Sequence, residues 1–179
     1  PGTMTPGPGN SITDVPGVTV GQTTHAEGDL HTGVTVVIPA SGNLFFNKLT
    51  AACYVHNGFG KTCGLMQIEE LGTLETPIAL TGTLNVGLVS DALVSYTLEQ
   101  CQRDGIAIRS LNPVVGECND GRLSHIALRP VHQQDVYAAI ASASQTVPEG
   151  AVGAGAGTIC FGLKGGIGTA SRVCSIDGN

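Results

Sequence analysis

Of the 179 residues, 26 are glycine, and eight of these crowd into the stretch from Gly150 to Gly168. A residue without a Cβ costs backbone entropy, so runs such as Gly153-Ala-Gly155-Ala-Gly157 and Gly162-Leu-Lys-Gly-Gly-Ile-Gly168 make sense where backbone must approach something closely. With aromatic residues at only 4%, the chain suits tight backbone packing and frequent turns rather than a helical bundle or a large aromatic core.

A phosphate-cradling loop is the first alternative for such glycines, and the context argues against it. The dinucleotide pattern needs a preceding strand, a following helix and a late acidic residue, and the Walker pattern needs Gly-Lys-Ser/Thr, whereas Lys164 is followed by Gly165 and Gly166. Charged residues are only 12% of the chain and the net charge is -6, so no basic stripe exists to neutralise a nucleic-acid backbone. No apolar run reaches the length of about 20 residues that crosses a bilayer. The reading is a protein without nucleic-acid or membrane partners. Cys53, Cys63, Cys101, Cys118, Cys160 and Cys174 are widely spaced with no C-x-x-C pair, which suits reduced thiols in the cytoplasm, with a disulfide-bonded secreted chain as the alternative.

Along the chain, residues 1–10 alternate glycine and proline and read as a flexible arm, with residues 11–179 as one domain. Short β-rich runs follow at Val18–Gly21, Gly33–Ile38 and Ala51–Val55. Val34, Val36 and Ile38 share a face at period two, while Val37 interrupts the polar one, so this strand is expected to be covered on both sides. Leu65–Leu71 and Val86–Arg103 read as helices, the second closed by Gly105, and Val131–Ser144 reads as a third. Asn112–Glu117 reads as a buried strand ending in a polar loop, and Ile126–Leu128 as strand-like. The mixture predicts a layered α/β or α+β domain.

The chemistry-bearing residues are sparse. His25, His31, His56, His125 and His132 never recur at helical ligand spacing, so no metal site is encoded locally. No G-x-S-x-G elbow is present, and no nucleophile with its base is visible. What stands out is Gly116-Glu-Cys-Asn-Asp-Gly121, two carboxylates flanking an amide and a thiol just after a buried strand. Glu117 and Asp120 read equally as ligand-facing carboxylates or as turn and capping residues. Cys118 has no adjacent base and reads as a passive thiol.

Several segments in order resemble one family: Asn10-Ser-Ile-Thr-Asp-Val-Pro-Gly-Val-Thr-Val-Gly21, Thr32-Gly-Val-Thr-Val-Val-Ile-Pro39, Asn57-Gly-Phe-Gly60, Thr83-Leu-Asn-Val-Gly87, Pro113-Val-Val-Gly-Glu117 and Gly165-Gly-Ile-Gly-Thr-Ala-Ser-Arg172. They look like the DmpA-type L-aminopeptidase/D-amidase-esterases, and the resemblance runs from Asn10 to the end of the chain. It implies an α+β fold, a four-layer α-β-β-α sandwich completed by a second chain. In that family a precursor cuts itself and frees a serine or threonine as the first residue of a smaller companion chain, where it serves as nucleophile. The implied activity is that of an aminopeptidase or amidase acting on amides or esters of small amino compounds or peptides. Neither metal nor cofactor is implied, and homo-oligomers of the two-chain unit are expected.

The same resemblance makes Glu117 the anchor for the substrate's amino group, with Asn57 and Asn85 also substrate-binding and Asn119 shaping the site. The nucleophile is not in this chain, and Asn179 is a candidate self-processing edge. Departures exist. Asn119 stands where tyrosine is frequent, and Lys61 follows Asn-Gly-x-Gly where an acidic residue is frequent. The oxyanion-hole segment expected after Arg172 is not present before Asn179. These departures keep two alternatives open, a binding homologue that lost the chemistry and an acyltransferase.

Overall fold

The computed structural model describes residues 2–175. A four-stranded sheet carries the fold, built from β1 (Thr19–His25), β2 (Thr32–Ile38), β5 (Ile78–Gly82) and β6 (Val114–Cys118) in the order β1-β2-β5-β6. The small pairs β3 (Leu49–Thr50) with β4 (Thr73–Leu74) and β7 (Ile159–Cys160) with β8 (Leu163–Lys164) lie outside it. β1, β2 and β5 run antiparallel in turn, and β6 is parallel to β5. A parallel neighbour needs a long crossover, and helix α2 (Val86–Arg103) supplies it. The remaining helices are α1 (Leu65–Leu71) and α3 (Gln133–Ala141).

Helices α2 and α3 cover one face of the sheet. Val36, Ala79 and Val115, in register across three strands, and Val34 on the same face of β2 are fully buried, clustered with Val89, Leu93, Val136 and Ala139. Burying each large aliphatic side chain stabilises by about 1.5–3 kcal/mol, so this layer is the main source of cohesion. The buried seam of α2 is Val86, Val89, Leu93, Thr97 and Cys101, while Leu98 faces outward.

The opposite face meets the glycine-rich segment, whose backbone comes as close as its glycines allow. Gly153 donates its N–H to Thr24 Oγ1 at 2.8 Å, and Ala154 donates to Thr35 Oγ1 at 3.1 Å. A Cβ on Gly33 would collide with the Gly153 carbonyl, so the two backbones can lie together only as glycine on glycine. Beyond this cover the face opens into an apolar groove of about 310 Å³ lined by Val20, Val37, Leu80 and Ile167. At the chain's start, Gly7 donates to Ser171 Oγ and Val173 donates to the Thr5 carbonyl, joining residues 5–14 to the 169–173 segment.

Two expectations are corrected, and one strand is unanticipated. Residues 51–55 form no strand, because after Ala51 donates to the Gly72 carbonyl the chain leaves its neighbour and exposes Tyr54 and Val55. Ile126–Leu128 is a 3₁₀ turn, held by His125 N–H on the Asp29 carbonyl and ended by Arg129 in the left-handed region. The central strand β5 has a weak signal in sequence, since Ile-Ala-Leu-Thr-Gly follows a proline and two of its five residues favour strands poorly.

Candidate functional site

Parallel β5 and β6 end at the same edge of the sheet, with Gly82 opposite Cys118. That edge is where ligand-facing residues gather in sheets with parallel strands, because the loops leaving it converge. The loop after β6 carries Asn119 and Asp120, and the turn after β5 carries Thr83 and Asn85.

Glu117, near the end of β6, is held by the segment running from Asn57 to Cys63. Cys63 and Val115 exchange both backbone hydrogen bonds, which lays this segment along the outer edge of β6. Glu117 N–H donates to Thr62 Oγ1 at 3.2 Å, and Lys61 N–H donates to Glu117 Oε2 at 2.6 Å. Gly60 makes the approach possible, since a Cβ there would stand 2.6 Å from Glu117 Oε2. The Lys61 ammonium lies 4.0 Å from Glu117 Oε1 and 4.5 Å from the centre of the Phe59 ring. The Glu117 side chain is 9% exposed and that of Lys61 is 49% exposed, so the carboxylate is the fixed partner and the ammonium the movable one.

A cavity of about 330 Å³ opens here, lined by Asn57, Phe59, Gly60, Thr62, Glu117 and Asn119. Three of the four residues expected to bind or shape a substrate site, Glu117, Asn57 and Asn119, therefore meet around one space. Asn119 is exposed and its Oδ1 accepts from Gly121 N–H at 3.0 Å, which fixes the turn and leaves its amide nitrogen free to donate. Asn57 Oδ1 accepts from Phe59 N–H in the same way. Asn85 does not line this cavity: it is buried at the start of α2 and makes no side-chain cap. Asn179 lies outside the described residues. A second, larger cavity of about 630 Å³ shares Asn57, Gly60 and Thr62 with the first and continues past Tyr54, Met66 and Asn112.

Electrostatics assign the thiol. Burial, together with the charges of Asp120 and Glu117, pushes Cys118 up to about 11, so it stays protonated at neutral pH and is no nucleophile. Among the described residues no three His, Cys, Asp or Glu side chains are grouped to hold a metal ion. The cavity thus offers a carboxylate, amide groups and backbone donors, a set suited to holding an ammonium group in place. Thr62 and Gly60 were not singled out from sequence as site residues, although they belong to or adjoin the Asn57-Gly-Phe-Gly60 pattern. Their pairing with β6 is a contact between distant segments.

Residues 10–179 match the sequence profile of peptidase family S58. The chain is 40% identical over 181 residues to the beta-peptidyl aminopeptidase BapA of Sphingosinicella xenopeptidilytica, an alignment covering 96% of this chain and 44% of that protein. It superposes on the PH0078 protein of Pyrococcus horikoshii OT3 with a TM-score of 0.94 and 44% identity, covering 99% of this chain and 53% of that one. It also superposes on the L-aminopeptidase D-Ala-esterase/amidase of Ochrobactrum anthropi, a prototype serine aminopeptidase with a variant of the Ntn hydrolase fold. There the TM-score is 0.90 with 33% identity, over 99% of this chain and 52% of that one. The chain spans about half the length of the proteins it matches.

Proposed function

Because the chain belongs to peptidase family S58, we propose that it is the larger, nucleophile-lacking part of an aminopeptidase or amidase of the N-terminal-nucleophile type. The observation that carries this reading is the Glu117 carboxylate, mostly buried, on the wall of a small cavity beside Asn57 and Asn119. The α+β fold, with helices on one face of the sheet and an apolar groove on the other, supports a second sheet packing there to complete the four-layer sandwich. Residues 11–179 would then be one part of a single domain, and the companion chain the other.

In this reading the substrate's ammonium is held by Glu117, and the amide to be cut extends from it. A serine or threonine at the start of the companion chain attacks the carbonyl through its hydroxyl. The hydroxyl proton passes to that residue's own amine and then to the leaving amine, and water releases the acyl group by the reverse transfer. Asn119 shapes the site as a donor through its amide nitrogen. Asn85 sits apart from this cavity, buried at the start of α2. The relatives named beta-peptidyl aminopeptidases extend the substrate class to peptides whose first residue is a β-amino acid. The cavity continuing past Met66 accommodates the variable part of such a substrate.

No helix among the described residues is long and apolar enough to cross a membrane. The six cysteines stand unpaired, which supports a reducing, cytoplasmic setting, and the family resemblance supports homo-oligomers of the two-chain unit. The test is hydrolysis of L-alanine and β-alanine p-nitroanilides by the full-length protein, beside the N-acetylated compounds. Cleavage confined to the free amines supports the reading. Equal cleavage of the acetylated compounds contradicts the role of Glu117.

A further inference from the structure

Asp120 sits one turn beyond the Glu117 cavity and has no place in the chemistry above. It is 2% exposed, and its Oδ1 has no hydrogen-bond partner among the described residues. The capping role that the sequence allows belongs to its backbone: the Asp120 carbonyl accepts from Leu123 and Ser124 N–H at 3.1 and 2.9 Å. The carboxylate is instead wedged between two glycines. A Cβ on Gly82 would collide with Asp120 Oδ2 and stand 2.8 Å from Thr32 Oγ1, and a Cβ on Gly157 would stand 2.9 Å from Asp120 Cβ. Asp120 and Thr32 therefore converge on the same point of β5, and the glycine-rich segment closes over them.

Apart from Gln67 Oε1 on α1, three further orphaned oxygens belong to residues that touch Gly82 or follow it. Thr32 Oγ1, Thr83 Oγ1 and Asn85 Oδ1 are buried without partners among the described residues, in side chains 2%, 8% and 3% exposed. Thr83 and Asn85 follow Gly82 directly in the chain. A buried carboxylate left without a cationic partner is costly, as is each unsatisfied hydroxyl or amide oxygen. We propose that Asp120, Thr32, Thr83 and Asn85 form a binding site for a monovalent cation of the potassium or sodium type.

Charge and enclosure choose this occupant. One carboxylate with three neutral oxygens carries a single negative charge, which a monovalent ion balances, whereas a divalent ion would leave an uncompensated buried charge. The oxygens are enclosed by this chain alone, so a small ion fits them better than a side chain reaching in from another chain. The ion would tie the start of β2, the turn leading into α2 and the loop after β6 into one unit beneath the Glu117 cavity. Neither the companion chain nor the peptidase activity is needed for the site to exist.

The experiment uses the full-length protein and its Asp120→Asn variant in chlorides of potassium, sodium, rubidium and N-methyl-D-glucamine at equal ionic strength. The wild type is expected to unfold about 4 °C higher in the preferred alkali chloride, at twenty times its dissociation constant, than in the organic chloride. The variant should show no such difference. Should Asp120→Asn fail to fold, Thr32→Val keeps the carboxylate and should need about ten times more ion for the same rise. Crystals soaked in rubidium chloride should show an anomalous peak between Asp120 and Thr32. Equal unfolding temperatures in all four chlorides for the wild type, or no rubidium peak at that position, would overturn the proposal.

Discussion

Lys61 and a substrate ammonium compete for one carboxylate, and replacing Lys61 by methionine should expose the competition. The pair stands 4.0 Å apart, where the bare Coulomb attraction is about 1 kcal/mol in water and about 4 kcal/mol at an effective dielectric of 20. Since the Lys61 side chain is half exposed, solvent screening leaves roughly 0.5–1 kcal/mol. Methionine keeps the stem packed near Phe59 and keeps the backbone N–H on Glu117. Removing the competitor should therefore lower KM for β-alanine p-nitroanilide about two- to five-fold, with kcat unchanged because ground state and transition state gain alike. The gap between variant and wild type should shrink in 0.5 M salt, as expected for an exposed pair. Steady-state kinetics at two salt concentrations provide the assay. A rise in KM, or an equal fall for a substrate lacking the amine, would refute the competition.

Further outcomes follow from the same geometry. Glu117→Gln keeps the acceptor for Lys61 N–H but loses the charge, so KM for amine substrates should rise about 10- to 100-fold, the worth of a charged hydrogen bond; an unchanged KM would remove Glu117 from recognition. Cys118, pushed up to about 11, should be alkylated slowly by iodoacetamide at pH 8, and Cys118→Ala should keep activity within about two-fold; mass spectrometry of the labelled thiols and kinetics check both. The Ser171 hydroxyl, with smaller help from the N–H groups of Ser11 and Gly9, holds the Asp14 carboxyl below its ordinary value of 3.8. A depressed carboxylate contributes stability that is complete above the unfolded value and lost as pH falls through the folded one, so this clasp should weaken only below about pH 4. Ser171→Ala should move the Asp14 titration upward by NMR, and an unmoved titration would contradict the assignment.

Local signals in the sequence located most of the fold, while features made by distant pairing stayed hidden. Both long-range helices were legible because α2 repeats apolar residues at the helical period and ends before Gly105. Val34, Val36 and Ile38 announced a covered strand, and residues 32–36 of β2 are buried, with α2 and α3 on one face and the glycine-rich segment on the other. β5 was missed because its alanine and glycine are there to admit neighbours, Gly82 making room for Asp120 and Thr32, rather than to favour extended backbone. The glycine cluster stated that something must come close, but not that the partner was the opposite face of β2. At the site, Glu117, Asn57 and Asn119 were each visible through the family pattern. Their meeting depends on the Cys63–Val115 pairing, to which no local periodicity points. Asp120 was readable as a capping residue or a ligand, and its carboxylate turns out to cap nothing among the described residues.

In the proposed mechanism the nucleophile is carried on a companion chain. Intact-mass spectrometry with N-terminal sequencing of the purified full-length protein tests this. Two polypeptides are expected, one containing Glu117 and a smaller one beginning with serine or threonine, with loss of amidase activity when that first residue is replaced by alanine. A single uncleaved polypeptide with full amidase activity would contradict it.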